Sequence, residues 1–139
     1  MKLTEEQKQN ITDEYNQWKD KQYAGKTLEQ RKELDAFFTP PELTIQMIET
    51  FDSIENKSIL DPTAGAGGLI AACIIAGADP MLCYCNELDE DILKICKERL
   101  IPMGVPEENI HQGNALDPRC IEKKSFKKGF KLPTKINLW

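Results

Sequence analysis

The first 35 residues are polar, with apolar positions scattered at helical spacing. TEEQKQNITDEYNQWKDKQ and TLEQRKELDAFF set Ile11, Tyr15 and Trp18 among Glu, Gln and Lys, a pattern that predicts two amphipathic helices. Thr4 with Glu6 and Gln7 close behind, and Thr27 with Gln30, supply capping-type starts, and Tyr23-Ala24-Gly25 marks the break between the two. Pro40 and Pro41 stop the second helix and open a third, because a first helical turn leaves the missing N–H unpaired anyway. That third helix is expected from about Glu42 to Phe51. Leu43, Met47 and Phe51 recur at spacing four with Ile48 beside them, which assigns this face to the core.

From Ser58 the pattern changes to short apolar runs separated by turns. A strand is read from Ser58 running into Asp61, and after a glycine turn LIAACIIAG is apolar on nearly every side, as suits a helix packed on a sheet. MLCYCNE follows as a short buried strand ending at Asn86 and Glu87. In LDEDILKICKERL, Leu88, Ile92, Cys96 and Leu100 repeat at spacing four, with Asp89, Glu90 and Asp91 placed favourably in the first helical turn. A Gly-Val-Pro break leads to NIHQGNAL, a third strand ending near Gly113. Strand, helix, strand, helix, strand predicts two right-handed crossovers and a parallel sheet of about three strands, half of a doubly wound α/β fold. The expected layout is a helical extension over 1–35, an α/β core over 36–117 and a basic tail over 118–139.

Composition narrows this further. A chain of 139 residues, 40% of them apolar, fits one hydrophobic core. No apolar run approaches the ~20 residues that span a bilayer, and MKLTEEQKQN lacks the apolar stretch of a secretory signal, so a soluble cytoplasmic protein without a membrane partner is expected. Cys73, Cys83, Cys85, Cys96 and Cys120 show no paired CxxC spacing, and His111 is the one histidine, which argues against zinc and for buried free thiols. The net charge of −5 divides unevenly: residues 1–117 carry 11 basic and 22 acidic side chains, and residues 118–139 carry seven basic against Glu122 alone. Such a tail suits nucleic acid phosphate, a protein's acidic face, or a solvated end.

The chemistry is concentrated in ILDPTAGAGGLI. Gly65, Gly67 and Gly68 fall within four positions, where glycine supplies unusual backbone angles or leaves room for a close neighbour, either a ligand or the packing of a tight turn. Ligands of open parallel sheets lie at the carboxyl ends of the strands, which here carry Asp61, Glu87 and Gly113-Asn114. Glu87, 26 positions after Asp61, is placed to accept hydrogen bonds from both hydroxyls of a ribose. The dinucleotide pattern GxGxxG is met only in part, since Ile70 stands where the third glycine belongs, and Asp61 would repel a pyrophosphate but attract a sulfonium. That favours S-adenosylmethionine. No Gly-Lys-Ser/Thr follows, which excludes a P-loop.

FFTPPELTIQMIE, ILDPTAGAGGLIAA, NELDEDILKICKERL and IHQGNAL, in this order, resemble the amino-terminal part of adenine-N6 DNA methyltransferases, particularly the modification subunits of restriction systems, from about Ala36 to Asp117. The resemblance implies a truncated Rossmann-like S-adenosylmethionine-dependent methyltransferase fold with that cofactor. It implies that Phe38, Thr39 and Pro40 lie over the methionine end, and that Asp61, Thr63, Ala64, Gly65 and Gly67 pass along the cofactor. Glu87, with Leu88 beside it, holds the ribose, and Asn114, Ala115 and Leu116 lie near the adenine ring. The family's catalytic signature, Asn or Asp followed by Pro-Pro and an aromatic residue, has no counterpart here: the one Pro-Pro pair is Pro40-Pro41, and KINLW stands where a fourth strand would start. Nor do the 22 residues after Asp117 suffice for a target-recognition domain. No catalytic residue is therefore assigned.

Three functions follow as expectations. The first is a DNA adenine methyltransferase that is a fragment or works with a second chain. The second is a non-catalytic binder acting through a protein or nucleic acid partner, and the third cleaves the cofactor near Asp61 and Thr39. DNA is an expected partner through the basic tail or a partner subunit. The free edge of a three-stranded sheet is expected to be covered by the tail, the N-terminal helices or another subunit.

Overall fold

Thr4 opens α1 (Glu5–Tyr23) with a full capping box, its hydroxyl accepting from the Gln7 N–H while the Gln7 side chain accepts from the Thr4 N–H. Thr27 and Gln30 repeat the device at α2 (Leu28–Asp35), after Gly25 turns the chain at φ +72°. Pro41 begins α3 (Pro41–Glu49). The structure is a computed structural model that describes residues 1–117; the basic tail over 118–139, with Cys120, lies outside the described residues.

Three parallel strands follow: β1 (Ile59–Asp61), β2 (Cys83–Glu87) and β3 (Ile110–Gln112), paired in the order β1-β2-β3. Ile59 stands opposite Cys83, and Cys85 opposite Ile110. Helices α4 (Gly68–Ile75) and α5 (Glu90–Leu100) make the two crossovers. The strand order runs one way, so no reversal of the sheet lies among the described strands, and the outer edge of β1 has no strand partner among the described residues.

The core explains these choices. Leu69, Ile70, Ala71, Ala72 and Cys73 are buried in succession, because α4 is covered on several sides by β1, β2, α1 and α3. The N-terminal helices share this core. Leu3 and Ile11 belong to the same apolar cluster as Ile59 and Ile70, and α1 packs on α3 and α4. Cys73, Cys83, Cys85 and Cys96 are buried free thiols; burial pushes Cys83 up to about 12, and Cys73 and Cys85 are raised as well, the last first through its hydrogen bond to Cys96. They act as small apolar side chains.

The structure corrects three sequence expectations. The buried face of α3 is Pro41, Thr44 and Ile48, whereas Leu43 is 52% exposed. Thr44 is tolerated inside because its hydroxyl donates to the Pro40 carbonyl on its own helix at 3.3 Å. Met81 and Leu82 belong to a single 3-10 turn over Pro80–Leu82, capped by Asp79, so the second strand starts at Cys83. Leu88 is not part of the buried stripe of α5: it precedes the N-cap Asp89 and is 64% exposed.

Among the described residues no helix is long and apolar enough to cross a membrane, and no group of three or more His, Cys, Asp or Glu is arranged to hold a metal ion.

Candidate functional site

The carboxyl ends of β1 and β2 are joined by the glycine turn. Asp61 ends β1, and its Oδ1 accepts from the Thr63 N–H at 3.1 Å, bending the chain back over Pro62. The Ala64 N–H then donates to the Asn86 carbonyl at 2.9 Å, and the Gly65 N–H to Glu87 Oε1 at 2.9 Å. The Ala66 N–H reaches the Phe37 carbonyl at 3.0 Å, and the Gly67 N–H the Ala64 carbonyl at 2.9 Å. Every backbone N–H from Thr63 to Gly67 thus already has a protein acceptor.

Two of the three glycines are explained by protein neighbours. A Cβ at Gly65, whose φ is +55°, would sit 2.8 Å from the Phe37 carbonyl oxygen. At Gly67, φ +85°, it would meet Cys96 Sγ and Leu100 at 3.1 Å, and at Gly68 the Arg99 guanidinium at 3.4 Å. Of the two readings of the turn, close packing of the 37–38 segment and α5 onto it accounts for Gly65 and Gly67, both left-handed, whereas a Cβ at Gly68 would make only ordinary contact.

Glu87 ends β2, and both its oxygens are anchored, Oε1 by Gly65 and Oε2 by the Asp89 N–H at 2.8 Å. A carboxylate oxygen has two acceptor directions, so each retains one. Asp61 is 1% exposed, and its Oδ2 has no hydrogen-bond partner among the described residues. Burial is the main reason its carboxyl is pushed up to about 7; the Thr63 N–H opposes the shift and the neighbouring Glu87 charge adds to it. Near neutral pH it is divided between acid and carboxylate.

Asn86, for which the sequence reading proposed no role, clasps the strand ends. Its amide donates to the Pro62 carbonyl at 3.1 Å and to the Gly113 carbonyl at 2.9 Å, while the Gly113 N–H donates to the Glu87 carbonyl at 3.1 Å. A buried polar residue next to a strand-ending carboxylate is the signal that marks it.

The remaining predicted residues are distributed as follows. Phe38 is buried, its ring edge-on to Tyr15 at 6.3 Å and 5.9 Å from the Arg99 guanidinium; Thr39 is half-buried and Pro40 exposed. The Asn114 Oδ1 accepts from the Leu116 N–H at 2.9 Å and shapes the turn beyond β3, leaving Leu116 90% exposed and Ala115 partly covered. Hydrogen bonds therefore bring together the 37–38 segment, Thr63 to Gly67, Glu87 and Gly113. They do not tie Thr39 or Pro40 to that group.

Chemically this is a site of acceptors and negative charge. Its turn offers no free N–H from 63 to 67 for a phosphate, unlike nucleotide loops that work through such donors. The spare acceptor directions of Glu87 suit hydroxyl donors, and the orphaned Asp61 oxygen suits a nearby cation. The sequence model of a protein family described as N-6 DNA methylase matches residues 26–127. No curated protein and no solved structure matches the chain.

Proposed function

Since the chain belongs to the N-6 DNA methylase family, we propose that its core holds S-adenosylmethionine for methylation of adenine N6 in DNA. The observation that carries this reading is the pairing of a donor-depleted turn with two carboxyl groups, Glu87 anchored at the strand end and Asp61 buried without a full set of partners. The N–H groups that open α4 at Gly68 have no side-chain cap, so it is the two carboxyl groups that disfavour a nucleotide phosphate there, whereas a nucleoside carrying a positive sulfur fits. In this reading Glu87 accepts from the two sugar hydroxyls, Leu88 and the Asn114 to Leu116 turn border the base, and Thr39 and Pro40 border the amino acid end. Asp61 raises the negative potential at the crevice while staying out of direct solvent contact.

The cofactor, when bound, supplies an electrophilic methyl group on a sulfonium. The residues of this chain bind and orient it; Asn86 keeps the ends of β1 and β3 in place on either side of Glu87. Gripping the adenine, which must leave the base stack to be modified, is assigned to no residue among 1–139, because the Asn/Asp-Pro-Pro-aromatic run is absent from them. We assign that task to sequence or a subunit beyond these residues. Orientation of the reacting groups can supply ~7–11 kcal/mol of a barrier, so the core without that second part binds but does not transfer. The absent signature and the seven basic residues of 118–139 also support a second reading, a non-catalytic module acting through a partner.

Calorimetric titration tests the binding reading. With Asp61 at about 7, its ionised fraction rises about tenfold from pH 6 to pH 8, so affinity for S-adenosylmethionine is expected to rise by up to about tenfold over that range. The neutral thioether S-adenosylhomocysteine is expected to show no such rise. Equal pH profiles for the two ligands would overturn the role of Asp61, and no binding of either would overturn the reading itself. Transfer of labelled methyl to unmethylated DNA, with and without a partner subunit, separates the catalytic from the non-catalytic version.

A further inference from the structure

Helix α1 lies outside the family-matched residues 26–127, yet two consecutive side chains on it reach the candidate site. Glu14 accepts from Arg99 Nε at 2.7 Å and also from Nη2, a forked carboxylate–guanidinium pair. Tyr15 packs edge-on against Phe38 at 6.3 Å. Arg99, its side chain 1% exposed, donates its remaining Nη1 to the Ala66 carbonyl at 3.3 Å, inside the glycine turn, and sits 5.9 Å from the Phe38 ring centre. One buried cation therefore touches α1, the glycine turn and the 37–38 segment at once.

We propose that Glu14 and Arg99 form a lock through which α1 positions the glycine turn and Phe38, and so governs occupancy of the cofactor crevice. This rests on the cofactor reading above. A guanidinium buried to this extent stays in place only while its carboxylate partner does, since losing one partner leaves a charge with neither water nor counterion. With Glu14 seated, Arg99 is held against the Ala66 carbonyl, and the N–H groups of 64–67 keep the acceptors described above. With Glu14 withdrawn, Arg99 has reason to swing toward solvent, and the turn loses a support that its glycines cannot replace. Glu14 and Arg99 are positioning residues: neither is placed against the ligand.

The test uses the full chain and the variants Glu14→Gln, Arg99→Met and Arg99→Lys, each compared well below its own melting midpoint. Amide hydrogen exchange is measured without ligand, and affinity for S-adenosylmethionine by calorimetry. The lock predicts that amides of residues 64–67 exchange at least tenfold faster in Glu14→Gln and Arg99→Met, while those of α4 change much less. It also predicts at least tenfold weaker cofactor binding, partly restored in Arg99→Lys. A purely structural ion pair would lower the melting midpoint, raise exchange evenly and leave affinity unchanged, and that result overturns the proposal. If Arg99→Met fails to fold, Glu14→Gln decides alone. If the wild-type chain binds no S-adenosylmethionine, the cofactor reading and the claim about occupancy fall, and exchange alone decides whether α1 holds the turn.

Discussion

Asp61→Asn replaces a carboxyl whose burial conflicts with its charge. In the folded chain the Asp61 carboxyl titrates at about 7 against an ordinary 3.8, a gap of about 3 pH units, or roughly 4 kcal/mol at ~1.36 kcal/mol per unit. The folded-state value is the raised one, so the folded state holds the proton more tightly than the unfolded chain does. Below about pH 4 both states are protonated and there is no penalty. Between about pH 4 and pH 7 stability is lost as pH rises, and above that the full penalty of roughly 4 kcal/mol remains. Asparagine keeps an oxygen for the Thr63 N–H but places an NH2 where Oδ2 lacks a partner, at a cost of ~1–3 kcal/mol at every pH. The variant should therefore be less stable than wild type at pH 4.5 and more stable, by about 1–3 kcal/mol, at pH 8. Urea unfolding at both pH values reads this directly, since a slope of ~1–3 kcal/mol per M turns such a difference into a midpoint shift on the order of 1 M. Parallel pH dependence of the two proteins would refute the reasoning, because groups other than residue 61 titrate alike in both.

Three further outcomes are expected. Glu87→Gln exchanges an oxygen acceptor for an amide facing either the Gly65 or the Asp89 N–H, and should weaken S-adenosylmethionine binding about 10–100-fold by calorimetry. Gly65→Ala combines a left-handed backbone, ~1–2 kcal/mol, with a Cβ 2.8 Å from a backbone carbonyl, whereas Gly25→Ala meets nothing within 4 Å; thermal unfolding should show the first to be the more damaging by ~1–3 kcal/mol. Asn86→Ala strands the Pro62 and Gly113 carbonyls and should cost ~2–4 kcal/mol in urea, with a near-normal midpoint counting against the clasp.

Much of the fold was legible because several physical signals agreed along the chain. Both threonine caps, the break at Gly25 and the succession of strands and helices each carried a local signal that tertiary packing reinforced. The face of α3 was not legible, because two apolar stripes overlap there, and only packing reveals that Thr44 goes inside while Leu43 stays out. At the site, the strand-end positions of Asp61 and Glu87 could be read from spacing. The backbone partners that anchor Glu87 and fill the glycine turn could not, since they come from Phe37, Asn86 and Asp89 through main-chain atoms that carry no sequence signature. Arg99 did leave a trace: it lies seven positions after Ile92 and three after Cys96, on the buried stripe of α5, where a lone cation requires a partner. That the partner is Glu14, 85 positions away, is information only the folded chain holds.

The most direct measurement is a crystal structure of the chain with S-adenosylmethionine bound. The ribose hydroxyls are expected at the Glu87 carboxylate and the sulfur on the Asp61 side of the strand tips, with the Thr63 to Gly67 backbone keeping its present acceptors. A ligand seated away from these two carboxylates, or a turn whose N–H groups have swung round to meet it, would contradict the assignment.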